Sequence, residues 1–149
     1  MPSLRLPAAA AASLILTFVL TACVKEEPTV LDGSVSASAD ANEGAPIVVR
    51  YYELKGTDAF DSAAFFDVFE QPEATLGTDL LGSGEVALVP GQNQPLNMKL
   101  NAETRFVGFA AAYRDIDNAD WRGKLPVKPK SVNAVVVEIG KDAMFVNPG

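Results

Sequence analysis

From residue 84 onwards the chain is one short strand-like run after another, and that succession most limits what it can fold into. Residues 84–90, 95–100, 104–114, 121–127, 132–139 and 143–146 are rich in apolar and β-branched residues, and each run is strand-length. Pro90-Gly91, Asn118, Pro129 and Gly140-Lys141-Asp142 supply turns between them. Two more runs come earlier. Leu31, Gly33, Val35 and Ala37 alternate with Asp32, Ser34, Ser36 and Ser38, which predicts a first strand. Ile47–Leu54 (IVVRYYEL) is a clearer second strand with two largely apolar faces, so each side needs cover. Tyr51 and Tyr52 must point to opposite faces, one into the core and one under whatever covers the other side.

Between these runs lies a helical pattern. Asp58 reads as an N-cap with Asp61 at the third helical position, and a helix is expected to run to about Glu70, before Pro72. Phe65, Val68 and Phe69 form one stripe with Phe66 beside it. Such a stripe is either a greasy partner surface or a helix packed on a sheet, and packing is the expectation because aromatic stripes usually bury. Gly82-Ser83-Gly84 reads as a turn. Short strands with one helical insert after the second predict a mainly-β, two-sheet sandwich.

The N-terminus stands apart. Arg5 is the only charge before Lys25, and Leu14-Ile15-Leu16 and Phe18-Val19-Leu20 form an apolar block. A basic start, an apolar middle and a small-residue end match a secretory signal. The block is shorter than the roughly 20 apolar residues a spanning helix needs. It ends in Leu20-Thr21-Ala22-Cys23, which resembles the lipobox of bacterial lipoproteins, and Cys23 is the only cysteine in the chain. The other reading is an ordinary signal peptide with a chance cysteine nearby. The lipobox implies cleavage between Ala22 and Cys23 and lipid on the Cys23 thiol. Residues 1–22 would then be a removed signal, 23–29 a lipidated tether and 30–149 the folded domain. Two or more acyl chains, at about 0.8 kcal/mol per buried methylene, hold such a protein firmly. The residue after the cysteine is Val24 and not Asp, which in bacterial lipoproteins implies export to the periplasmic face of the outer membrane.

Cleavage leaves eleven Lys and Arg against nineteen Asp and Glu, a formal charge of −8. That balance argues against nucleic-acid partners and against electrostatic adhesion to anionic lipid. The chain has no His, and lipid on Cys23 would consume its one thiol. Ser-His-Asp and Cys-His nucleophile systems and His/Cys zinc sites are therefore excluded. The acidic run from Asp115 to Asp120 fails the calcium-loop pattern, since Ala119 holds the fifth position and no Gly or closing Glu follows in place. It is expected to be a solvated hairpin, with Arg114 and Arg122 placed to pair with its carboxylates. Asp58, Asp61 and Asp67 fit capping and a solvated helix face better than acid–base work, with no base, nucleophile or phosphate loop beside them. No enzyme, cofactor or metal is expected.

In order and spacing these pieces resemble the TssJ-type lipoproteins of type VI secretion systems. The matching parts are VVRYYEL in the second strand, a helix with Phe60, Phe65 and Phe66, then Leu88-Val89-Pro90-Gly91 and Leu100. The most distinctive is FVGFAAAYRDIDNADWR, residues 106–122, which has the look of one long strand, a short turn and Trp-Arg. The resemblance covers about residues 31–146. It implies a transthyretin-like β-sandwich with an added helical element. It also implies a non-enzymatic outer-membrane lipoprotein of the secretion machine's membrane core, whose partner is the periplasmic part of TssM.

It further implies that the loop between the first two strands, residues 39–45, contacts TssM. Asp40, Ala41, Asn42, Glu43 and Gly44 are the candidate contact residues, and Asn42 matches an Asn in the family's loop. On residue chemistry alone Asn42 is a turn residue that tolerates left-handed backbone, and both readings can hold. Pro46 closes a short, rigid loop, and rigid loops lose less entropy on binding. Only a tether and one strand separate Cys23 from this loop in sequence, so the loop need not lie far from the membrane. The rival reading is a lipoprotein that binds a small ligand or acts as a carrier or inhibitor, which requires a deep pocket with convergent polar groups.

Overall fold

The computed structural model describes residues 3–4 and 22–149. The signal peptide expected over residues 1–22 lies almost wholly outside the described residues. Among those described, no helix is long and apolar enough to cross a membrane.

Eight strands form two four-stranded sheets. They are β1 (Val30–Ala37), β2 (Ile47–Leu54), β3 (Leu80–Leu88), β4 (Asn93–Lys99), β5 (Phe106–Ala111), β6 (Arg122–Pro126), β7 (Val132–Ile139) and β8 (Met144–Pro148). The first sheet runs β4-β1-β7-β8 and the second β3-β2-β5-β6. β1 pairs antiparallel with β4 and parallel with β7. Period-two patterning places Leu31, Val35, Val135 and Val137 of the first sheet against Ile47, Val49, Val107 and Phe109 of the second. The two-sheet sandwich with a helical insert after the second strand is thus the observed architecture.

β2 has both of its faces covered, as its composition requires. Tyr51 packs on the inter-sheet core. Tyr52 and Leu54 face the other way, into a second cluster with Phe60, Val68 and Leu76 from the insert. The backbone of β5 allows this approach at Gly108, where a Cβ would lie 2.8 Å from the Phe60 ring. Gly82-Ser83-Gly84 is not a turn but part of β3. The Tyr51 ring lies across Gly84 so closely that a Cβ there would meet its hydroxyl at 2.1 Å.

The single helix expected from Asp58 to Glu70 is three short ones: α1 (Asp58–Ser62), α2 (Phe65–Glu70) and α3 (Pro72–Leu76). Asp58 is not the cap. Thr57 holds that position and makes no side-chain cap bond. The chain turns extended at Ala63 (ψ 151°) and Ala64 (ψ 158°). Carbonyls freed at the break are taken by Arg122, whose guanidinium donates to Phe60 O and, at 3.0 Å, to Ala63 O. Break and capping residue lie about sixty positions apart, so local sequence carries no sign of the interruption. Of the aromatic stripe, Phe65 and Val68 are buried, Phe69 is half-buried and Phe66 stays exposed.

Strand ends also shift. The long strand expected from Phe106 stops at Ala111, and a 3-10 turn at Ile116–Asn118 precedes β6. Arg122 lies under the insert and does not pair with the acidic turn. No ion pair joins Arg114 to that turn among the described residues.

Connections gather at two ends. One end holds the entry at Thr29 and the segments 55–57, 100–105 and 127–131. The other holds segments 38–46, 89–92, 112–121 and 140–143. β1 runs from the first end to the second, and its eight residues span roughly 26 Å at about 3.3 Å each. Residues 39–45 therefore sit at the opposite end of the sandwich from the tether, the length of β1 away.

Candidate partner interface

Residues 39–45 form a loop wound around Asn42. Asn42 (φ 49°), Glu43 (φ 54°) and Gly44 (φ 81°) are consecutive left-handed residues inside the 3-10 turn Ala41–Gly44. Asn tolerates this backbone and Gly favours it, whereas Glu43 is strained there. Asn42 is only 4% exposed. Its Nδ2 donates to Pro46 O at 2.9 Å, and its Oδ1 accepts from the Arg114 backbone N–H at 2.7 Å. Its own N–H donates to Gly140 O at 3.3 Å. This one residue thereby ties the β1–β2 loop to the β5–β6 connection through its side chain and to the β7–β8 connection through its backbone N–H.

The five candidate contact residues are divided by burial. Ala41 and Asn42 face inward, while Asp40, Glu43 and Gly44 are exposed. The Ser38 hydroxyl donates to Asp40 Oδ1 at 2.7 Å and orients that carboxylate. Beside the loop is a cleft of about 120 Å³ lined by Asn42, Glu43, Tyr113, Asp115, Lys141 and Asp142. Tyr113 donates its hydroxyl to Gly140 O at 3.3 Å. Burial first, then Asp142 and Asp120, raises its phenol far above the usual value, so it stays a neutral donor. The Asp115 carboxylate accepts from the Asn118 amide at 3.0 and 2.9 Å. Sequence reading placed no partner role on Tyr113, Lys141 or Asp142. They meet the loop only because alternate connections of a sandwich fall at the same end.

This end is acidic. Asp40, Glu43, Asp115, Asp117, Asp120 and Asp142 project here, against Arg114 and Lys141. Cys23 lies at the far end, exposed, with Ala22 and residues 24–28 exposed around it. Thr29 is the first buried residue. Its Oγ1 accepts from Lys130 N at 2.9 Å and its carbonyl from Leu100 N at 2.8 Å, so the free tether ends at Pro28.

A groove of about 560 Å³ lies between the insert and β6, lined by Asp61, Trp121, Arg122, Lys124 and Met144 among others. It is open, and the Lys124 Nζ–Asp61 Oδ2 pair at 2.5 Å lies along it. The hydrogen bond from Lys124 is the main reason the Asp61 carboxyl sits below its usual range. Burial lowers the Arg122 guanidinium, with Asp61 acting against it.

Residues 29–142 match the T6SS-SciN family, described as the type VI secretion lipoprotein family of VasD, EvfM and TssJ. Among solved structures the chain is similar to the T6SS lipoprotein TssJ1 from Pseudomonas aeruginosa, with 33% identity and a TM-score of 0.78, covering 82% of this chain and 97% of that one. Lip of Serratia marcescens, a membrane-bound component of the type VI secretion system, shares the fold at 24% identity and a TM-score of 0.73, covering 80% and 96%. A chain from the structure described as the TssM C-terminal domain from EAEC matches at 25% identity and a TM-score of 0.66, covering 81% and 99%. No curated protein matches significantly.

Proposed function

The chain belongs to the type VI secretion lipoprotein family of TssJ and VasD, and from that premise we propose that it links the outer membrane to the periplasmic part of TssM. In this reading Cys23 carries the lipid after cleavage behind Ala22, and the sandwich stands on the periplasmic face of the outer membrane. Asp40, Glu43 and Gly44 make the first contact with TssM, while Ala41 and Asn42 hold them in place. The role is mechanical and non-enzymatic. The observation that carries it is the placement of tether and loop at opposite ends of one strand, β1. A pull between the two membranes would then load β1 along its length, where it is hydrogen-bonded on both sides. A rigid loop also suits binding, because little of its freedom remains to be lost.

The test is a titration of the TssM periplasmic region with the purified protein and with a variant whose residues 40–44 are replaced by a Gly-Ser linker. Affinity should fall at least tenfold while circular dichroism of the sandwich is unchanged. Equal affinity would rule this loop out as the main contact.

A further inference from the structure

Four cations lie at the end of the domain where the tether leaves it. Lys99 closes β4, Arg105 precedes β5, and Lys128 and Lys130 lie in the β6–β7 connection, all at the end where Thr29 enters. Lys99, Arg105 and Lys130 line a cleft of about 300 Å³ with Glu26, Glu27 and the tether root. Lys130 Nζ pairs with Glu26 Oε1 of the tether at 3.0 Å, with both side chains largely exposed. Lys99 and Lys128 make no ion pair among the described residues, and both are exposed. Two other acids at this end, Glu103 and Glu53, have partners of their own. Glu103 lies 3.6 Å from Lys55, and Glu53 Oε2 accepts from Asn101 N and Thr104 Oγ1 at 2.7 and 2.8 Å. A chain of charge −8 after cleavage thus sets four cations beside Glu26 and Glu27 at its tether end, whereas the other end is dominated by carboxylates.

We propose that Lys99, Arg105, Lys128 and Lys130 seat on anionic phospholipid headgroups and hold the domain upright on the membrane, with residues 39–45 pointing away. The proposal rests on the lipid anchor at Cys23. A short tether keeps the collar within reach of the surface, since the five residues 24–28 extend at most roughly 17 Å. Within a Debye length of about 8 Å the surface potential attracts the collar, and the acidic end is repelled if the domain tips over. Composition alone, which counts net charge, argued against adhesion to anionic lipid. The separation of charge along β1 reverses that conclusion for one end of the molecule.

The lipidated protein, purified from membranes, is reconstituted into phosphatidylcholine vesicles with or without phosphatidylglycerol. Flotation is scored first, and lysine labelling by a water-soluble amine reagent is then read residue by residue by mass spectrometry. Lys99 and Lys128 should label about fivefold more slowly on phosphatidylglycerol vesicles, Lys141 at the far end should not change, and high salt should erase the difference. A K99E/R105E/K128E variant should still float, yet Lys130 should then label equally on both vesicle types. Flotation with equal labelling of Lys99 and Lys128 on both vesicles would overturn the collar and leave the anchor intact. Failure to float would overturn the anchor, and the collar with it.

Discussion

Asn42 satisfies three backbone groups, one in its own loop and two in other connections, and does so in a left-handed conformation. Asn42→Ala would leave the Arg114 N–H and the Pro46 carbonyl without their partners. Each unpaired buried group costs about 1–3 kcal/mol, so the variant should lose about 3 kcal/mol in urea unfolding. Glu43 provides the contrast. Its side chain is exposed and its backbone strained, so Glu43→Gly should raise stability by up to about 1 kcal/mol. If Glu43 contacts TssM, the same variant binds more weakly. Opposite movement of stability and affinity would separate a contact residue from a scaffold residue, and unchanged affinity would remove Glu43 from the interface. Residue chemistry alone predicted that Asn42 tolerates this turn. Its burial was hidden, because its partner Arg114 lies 72 positions along the chain.

At the scale of elements, the insert is held to the second sheet from below. Arg122 takes carbonyls of α1 and the break, Tyr52 donates to Val68 O at 3.1 Å, and Arg50 donates to Phe69 O while its guanidinium lies 4.2 Å from the Phe69 ring centroid. Helices of five or six residues are too short to persist alone, so these donors and the Phe60–Val68–Leu76 cluster decide whether the insert stays folded. Arg122→Ala should speed amide exchange over residues 58–70 by roughly tenfold to a hundredfold while β1 and β7 keep their protection. Uniform loss across both sheets would show instead that the insert and the sandwich unfold as one unit. Burial, outweighing the opposing pull of Arg50, pushes the Tyr52 phenol from an ordinary 10 up to about 12. The folded state therefore favours the neutral phenol. That contribution is whole below pH 10 and is lost as pH rises towards 12. Tyr52→Phe should cost about 1–2 kcal/mol at pH 7 and show a shallower loss of stability between pH 10 and 12. An equal alkaline slope in variant and parent would assign that slope to other groups. Strands written as runs of β-branched residues, such as β2 and β7, were legible to the residue. The insert was legible only as helical, because its breaks answer to β2 and β6 and not to its own neighbours.

At the scale of the whole molecule, anchor and fold are separate in the structure though adjacent in sequence. Every residue from 22 to 28 is exposed, and packing begins only at Thr29. Removing the lipid should therefore leave the core untouched. Cys23→Ser keeps the size of the side chain and removes only the thiol that would be acylated. It should take up no palmitate and pass to the soluble fraction, since without acyl chains the described residues at this end offer only isolated exposed apolar side chains, Val24 and Val132. Its thermal midpoint should match that of the parent, and its affinity for TssM in solution should be unchanged. What it should lose is secretion, because the link transmits force only when both ends are held. These readings can disagree informatively. Palmitate in the variant would sink the anchor. A lowered midpoint would mean that the tether packs on the domain. Intact secretion by a soluble, unlipidated variant would mean that the domain acts on TssM without a membrane hold, and the mechanical reading would fall while the interface stood.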